Sequence, residues 1–235
     1  MTWIVHFYFT IYKRTLGACE TLEADAVLTY QDRDVDKIMQ DTSVVTLDPC
    51  KSGINAFMEH FMYNKENIHF GGLLYRRDLV MEHDIRFSAG TKYGEDLEFA
   101  WKYLTNCKNG VILLDKMYGY YNNPDSAVNT VRWEKTNLVD AMLRVEAYMK
   151  ERNCGFATAF SNYMLPRTVW TTAKTFAKGK RMDYYKRFLK EYPVKMYIKR
   201  LTKSSRNRML TMSSELFLIN VYAFYEAIGI VYKNK

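Results

Sequence analysis

Glu95 and Asp96 stand side by side directly after Gly94, in the stretch YGEDLEFAW at residues 93–101. A carboxylate at the mouth of a helix beside a sheet is placed to act as a general base, taking a proton from a hydroxyl as its oxygen attacks. The pair also has a plainer use. Carboxylates in a first helical turn face free N–H groups and the positive end of the dipole, each contributing about 0.3 to 1 kcal/mol. The surroundings favour chemistry: a glycine pair, Gly71 and Gly72, lies upstream in the apolar run FGGLLY (70–75), and a polar loop lies downstream at 122–126. A glycine pair in such a run marks backbone passing close to another group, or a bulge.

The elements that must position these residues follow from periodicity. Residues 24–30 are apolar, aromatic and β-branched enough for a buried strand, and the charged 31–37 that follow read as a loop. Ile54, Phe57, Met58, Phe61 and Met62 recur at helical spacing, which predicts an amphipathic helix over 53–64. Residues 76–83 predict a short helix. Leu97, Ala100, Trp101 and Leu104 share one helical face, so the Glu95–Asp96 pair sits where a loop enters a helix, with Trp101 packing that helix onto a sheet. Asn109-Gly110 is a turn signal, residues 111–114 a buried strand and 118–121 a second extended segment. From Trp133 onward the pattern is helical: Leu138, Met142, Val145 and Met149 recur on one face, and 184–192 and 216–232 read alike. The fold class expected is α/β, a mixed sheet with flanking helices, followed by a mostly α-helical C-terminal region. Composition shifts near residue 132, dividing the chain into a segment 1–23, an α/β part 24–132 and a basic helical part 133–235.

Other chemistries find little support. His6, His60, His69 and His83 are scattered and lack a nucleophile partner. Cys19, Cys50, Cys107 and Cys154 show neither CxxC nor metal-ligand spacing, which points to a reducing compartment. The apolar opening 3–12 is followed, not preceded, by Lys13 and Arg14, the wrong charge order for a secretory signal.

In order and spacing, FGGLLYRRDL (70–79), Ile85-Arg86-Phe87, YGEDLEF (93–99), Leu113-Leu114-Asp115 and residues 118–126 resemble the second half of a bacterial family 2 glycosyltransferase with the GT-A fold. The resemblance implies a partial GT-A-like sheet and an inverting enzyme that moves a sugar from a nucleotide-diphosphate donor to a hydroxyl of a glycan or lipid-linked acceptor. It implies Asp96 as general base and Glu95 beside it to orient it or touch the acceptor. It implies Gly71 and Gly72 where backbone passes the donor sugar, and Tyr121 and Ser126 in the loop that closes on the donor phosphates. Asn122, Asn123 and Asp125 depart from that loop, where relatives carry Arg and Gly.

The family also implies a divalent cation, Mg²⁺ or Mn²⁺, held by an Asp-x-Asp motif. Asp32-Arg33-Asp34 and Asp34-Val35-Asp36 have the bare spelling after an apolar strand. Arg33 opposes a cation, and Asp34 stands closer to Asp96 than family spacing allows, so no metal ligand is assigned. Residues 1–23 match nothing in the family. The expectation is therefore an acceptor-side half without its donor-side half: a truncated or split product, or one complemented by another polypeptide. A sheet lacking its first strands exposes an edge and predicts self-association into a homo-oligomer.

The charge is uneven. The chain carries a net +8, and residues 166–209 alone hold fourteen Lys or Arg against Asp183 and Glu191. That implies an anionic partner, and with interleaved Tyr and Phe an anionic membrane surface fits best, giving a cytoplasmic protein peripheral at the inner face. Nucleic acid is disfavoured, because no RNA- or DNA-binding signature accompanies the charge. The competing reading is a non-catalytic, membrane-associated interaction protein that retains half of a glycosyltransferase domain.

Overall fold

Strand β1 (Ala26–Asp32) runs parallel to β4 (Asn109–Gly119), with Ala26 opposite Gly110 and Val27 opposite Val111. β3 (Ile68–Tyr75) pairs antiparallel with β1, and β2 (Cys50–Gly53) pairs antiparallel with β4, giving the mixed order β2-β4-β1-β3. The computed structural model describes residues 16–17, 20–32, 50–63, 68–119 and 130–232. Being central, β1 and β4 are covered on both faces, which is why their buried residues, Ala26, Val27, Leu28, Val111, Ile112 and Leu113, form continuous apolar runs rather than alternations.

One cluster joins Ala24, Val27, Val111 and Leu113 with Leu22 and Leu74. Elsewhere the sheet meets α1 (Ile54–Tyr63), whose Phe57, Met58, Phe61 and Met62 are buried as the periodicity predicted. Gly110 is dictated by that contact: a Cβ there would lie 2.3 Å from the Phe57 ring. α2 (Arg77–Glu82) follows β3, and α3 (Glu95–Thr105) precedes β4. Trp101 of α3 is fully buried, with its ring edge-on to Phe61 of α1 at 5.0 Å.

The α/β expectation is met, with local differences. β1 starts at Ala26 rather than residue 24, because Asp25 is engaged with the start of β4: its N–H donates to Asn109 Oδ1 at 3.1 Å and its carboxylate accepts from Lys108 N at 2.7 Å. The two extended segments expected at 111–114 and 118–121 are one strand through Gly119.

The chain divides into two compact units, residues 1–86 with 99–124, and residues 87–98 with 125–235. Glu95 to Glu98 of α3 thus belong to the second unit and the rest of that helix to the first. The second unit is helical: α4 (Asn137–Glu151), α5 (Leu165–Lys178), α6 (Met182–Glu191), α7 (Val194–Ser204), α8 (Arg208–Ile219) and α9 (Val221–Val231). Its core takes Met142 and Val145 from α4, Val169 and Phe176 from α5, Phe188 from α6, Leu201 from α7, Phe217 from α8 and Phe224 from α9.

Before α5 the backbone widens into a π-turn at Phe160–Met164. Pro166 explains it, since proline has no N–H to give the carbonyl four residues back and its ring crowds that carbonyl. The released Asn162 carbonyl accepts instead from Ser204 Oγ at 2.6 Å. The helix expected at 216–232 is two helices, because Asn220 is extended and its side chain caps α9 by accepting from Tyr222 N and Ala223 N.

Candidate active site

Gly94 sets the geometry of the carboxylate pair. It adopts φ +85°, and a Cβ there would lie 2.5 Å from Leu138 Cδ1 and 3.0 Å from Leu138 Cα. Both the left-handed backbone and the close approach require glycine. The Gly94 carbonyl then accepts from Glu98 N at 2.8 Å, opening α3 with Glu95, Asp96 and Glu98 in its first turn.

Asp96 is half-buried, and Oδ1 accepts from Leu97 N at 2.6 Å. Burial pushes its carboxyl above the ordinary aspartate value, outweighing the hydrogen bonds from the Leu97 and Asp96 backbone N–H groups. No cation pairs with it among the described residues. A desolvated carboxylate with no counter-charge has a conjugate acid moved toward working pH, the property a general base needs. Glu95 Oε2 is buried without a hydrogen-bond partner among the described residues.

Glu98, which the sequence reading passed over, behaves differently. Its side chain is fully buried and takes a fork from Arg144, Nη2 to Oε2 at 2.7 Å and Nε to Oε1 at 3.0 Å. Ser88 Oγ adds a third donor at 2.9 Å, and Arg144 Nη2 reaches Thr91 Oγ1 at 3.1 Å. The Glu98 carboxylate raises the Arg144 guanidinium above its usual value. Four more ties bind the loop before α3 to residues 134–138: Lys92 Nζ to Glu134 at 3.4 Å, Lys92 N to Asn137 Oδ1 at 3.4 Å, Lys135 Nζ 4.0 Å above the Tyr93 ring, and Leu138 against Gly94. The position of Asp96 is therefore set by the start of α4. One sequence signal was available, an acid one turn before Trp101 on the side of α3 that goes inside.

Gly71 and Gly72 lie on β3, in the first unit, with Gly71 exposed and the Gly72 carbonyl accepting from Thr29 Oγ1 at 3.3 Å. Tyr121 and Ser126 lie outside the described residues, as do Asp34 and Asp36, while Asp32 is the last residue of β1. Among the described residues no three His, Cys, Asp or Glu side chains gather as metal ligands.

A second acidic centre in the first unit is structural. Asp25 is buried and accepts from Arg76 Nη1 at 2.9 Å and Lys108 N at 2.7 Å. Arg76 also holds Asp78 at 2.5 Å, and its own N–H donates to Tyr103 Oη at 2.7 Å, while Tyr103 O–H donates to the Asp25 carbonyl. Burial pushes the Tyr103 phenol far up and the Cys107 thiol up to about 12. Through its carboxylate and its backbone carbonyl, Asp25 thus joins β1 to the end of β3, to α3 and to the start of β4.

No family model and no curated protein matches the chain. Among solved structures it is similar to S. aureus TarS 1–349 in complex with UDP, at 14% identity and TM-score 0.40, over 94% of this chain. The match covers 62% of that chain, less than two thirds of its length. At this score the likeness carries no argument about function.

Proposed function

We propose that this chain is the acceptor-side part of an inverting glycosyltransferase, with Asp96 as its general base. The observation that carries the reading is Asp96 itself: a desolvated carboxylate without a cation partner, held at a glycine-led helix opening within the block order of family 2 enzymes. In the step proposed, the acceptor O–H gives its proton to Asp96 while its oxygen bonds to the anomeric carbon of the donor sugar. The bond from that carbon to the diphosphate breaks, its electron pair leaves on the nucleoside diphosphate, and configuration inverts.

Glu95 fits the role of a second carboxylate that orients the acceptor hydroxyl. By the family resemblance, Gly71 and Gly72 are assigned to a stretch where backbone passes the donor sugar, and Tyr121 and Ser126 to a loop over the phosphates. Glu98 and Arg144 serve as positioning residues, since their ion pair fixes the turn from which Asp96 projects. A bound Mg²⁺ or Mn²⁺ would neutralise the leaving diphosphate. Among the described residues no three His, Cys, Asp or Glu side chains gather around such an ion. The donor class is a nucleotide sugar and the acceptor a glycan or lipid-linked hydroxyl.

The test is sugar transfer by the wild-type chain against Asp96→Asn, which removes the base and keeps the volume. Loss of transfer with an unchanged fold supports the assignment. Full activity in the variant returns Asp96 to a helix-end charge.

A further inference from the structure

α8 presents two opposite faces. Ser214 and Phe217 turn into the helical core, while Met209, Met212 and Ile219 stand in solvent, Ile219 at 83% and Met209 at 76% exposure, with Leu216 half-buried between them. Their spacing is that of a single helical stripe. Beyond the Asn220 corner, α9 exposes Tyr222 and Ile230 away from the buried Phe224, Tyr225 and Ile228, and Val231 is exposed at its C-terminal end. A soluble monomer rarely leaves so many large apolar side chains uncovered on two consecutive helices.

Cations flank this surface at both ends. Lys199, Lys203, Arg206 and Arg208 stand exposed on α7 and the turn into α8. At the far end of α9, Lys174 Nζ lies 4.6 Å and Lys178 Nζ 5.3 Å from the centre of the Tyr232 ring. Glu215 and Glu226 are the acids that α8 and α9 carry. Apolar side chains flanked by Lys, Arg and Tyr match the boundary between acyl chains and anionic head groups. A second copy of the chain fits less well, since a symmetric contact through this face would bring like charges together.

We infer that the α8–α9 corner is a docking surface for an anionic lipid bilayer, with Met209, Met212, Ile219 and Ile230 entering the interface and the flanking cations meeting phosphate. The helices lie on the bilayer rather than through it. α8 has 12 residues and α9 has 11, and at about 1.5 Å per residue neither approaches the roughly 30 Å hydrocarbon core. No described helix is long and apolar enough to cross a membrane.

The inference goes beyond the transfer reaction and stands apart from it, because vesicle binding reads α8 and α9 while donor binding reads the other site. The experiment is co-sedimentation of the full chain with vesicles of phosphatidylcholine, with and without phosphatidylglycerol, at low and high salt. Binding to the anionic vesicles that weakens with salt is expected. Met212→Asp with Ile219→Asp, both at exposed positions that spare the core, should reduce it by roughly tenfold or more, as should Lys199→Glu with Lys203→Glu. Circular dichroism confirms that both variants fold. Absence of vesicle binding, equal binding to neutral vesicles, or binding unchanged in the Met212→Asp/Ile219→Asp variant would overturn the inference. So would a dimer in sedimentation that this variant abolishes, which would assign the face to a second copy.

Discussion

Arg144 Nη2 sits 2.7 Å from Glu98 Oε2, and the Glu98 side chain is wholly buried while that of Arg144 is 41% exposed. The pair ties the middle of α4 to the first turn of α3, two residues beyond Asp96. A buried acid of this kind survives only with its cation, because an unpaired charge away from water is strongly destabilising.

Arg144→Met should therefore cost about 3 kcal/mol of stability, the low end of the range for a broken buried pair, since solvent already reaches the guanidinium. Chemical denaturation measures it. Adding Glu98→Gln should recover part of the loss by removing the orphaned charge, a coupling that a double-mutant cycle reads directly.

Gly94→Ala meets two obstacles, a φ of +85° and Leu138 Cδ1 at 2.5 Å from the new Cβ. The backbone term alone is about 1 to 2 kcal/mol. Thermal unfolding should show a clear drop, and Leu138→Ala combined with it should destabilise by less than the sum of the two single changes, because the clash is shared.

Asp96→Asn should raise stability at neutral pH while abolishing transfer. Burial lifts the native Asp96 carboxyl above its ordinary value, so just above that ordinary value the native state binds more protons than the unfolded chain. Stability from this group is then lost as pH rises through the native pKa, and the charged form is a net cost at pH 7. The melting temperature of the variant should exceed that of the wild type at pH 7, and the gap should close below about pH 4, where both folded and unfolded Asp are protonated. Transfer should fall by at least roughly a hundredfold.

Cys107 is buried with its thiol pushed up to about 12, whereas Cys154 is half-exposed. At pH 8 a thiolate-directed alkylating reagent should label Cys154 well before Cys107 in the native protein, and label both in denaturant. Mass spectrometry of the digested protein distinguishes the two sites.

Much of this arrangement was legible in the sequence because it rests on periodicity. The Phe57–Phe61 stripe, the Leu113 strand and the Val145 face each announce a buried side, and Gly94 before two acids announces a helix opening. What was hidden depends on tertiary partners. Nothing local marks Arg144 as the mate of Glu98, forty-six residues away. Nor does composition reveal that Asn220 splits one apolar run into two helices, or that Pro166 and Ser204 together settle a π-turn. The charge run at 166–209 was visible, while the apolar stripe on α8 becomes apparent only once Phe217 is seen to point inward.

The most direct measurement is calorimetric titration of the purified chain with UDP and with GDP, in the presence and absence of Mn²⁺. Glycosyl transfer from a nucleotide donor predicts binding of one of them in the micromolar range, strengthened by the metal. No heat from either nucleotide under either condition would contradict a donor site in this polypeptide and leave it the acceptor-side half of an enzyme, dependent on a separate donor-binding half.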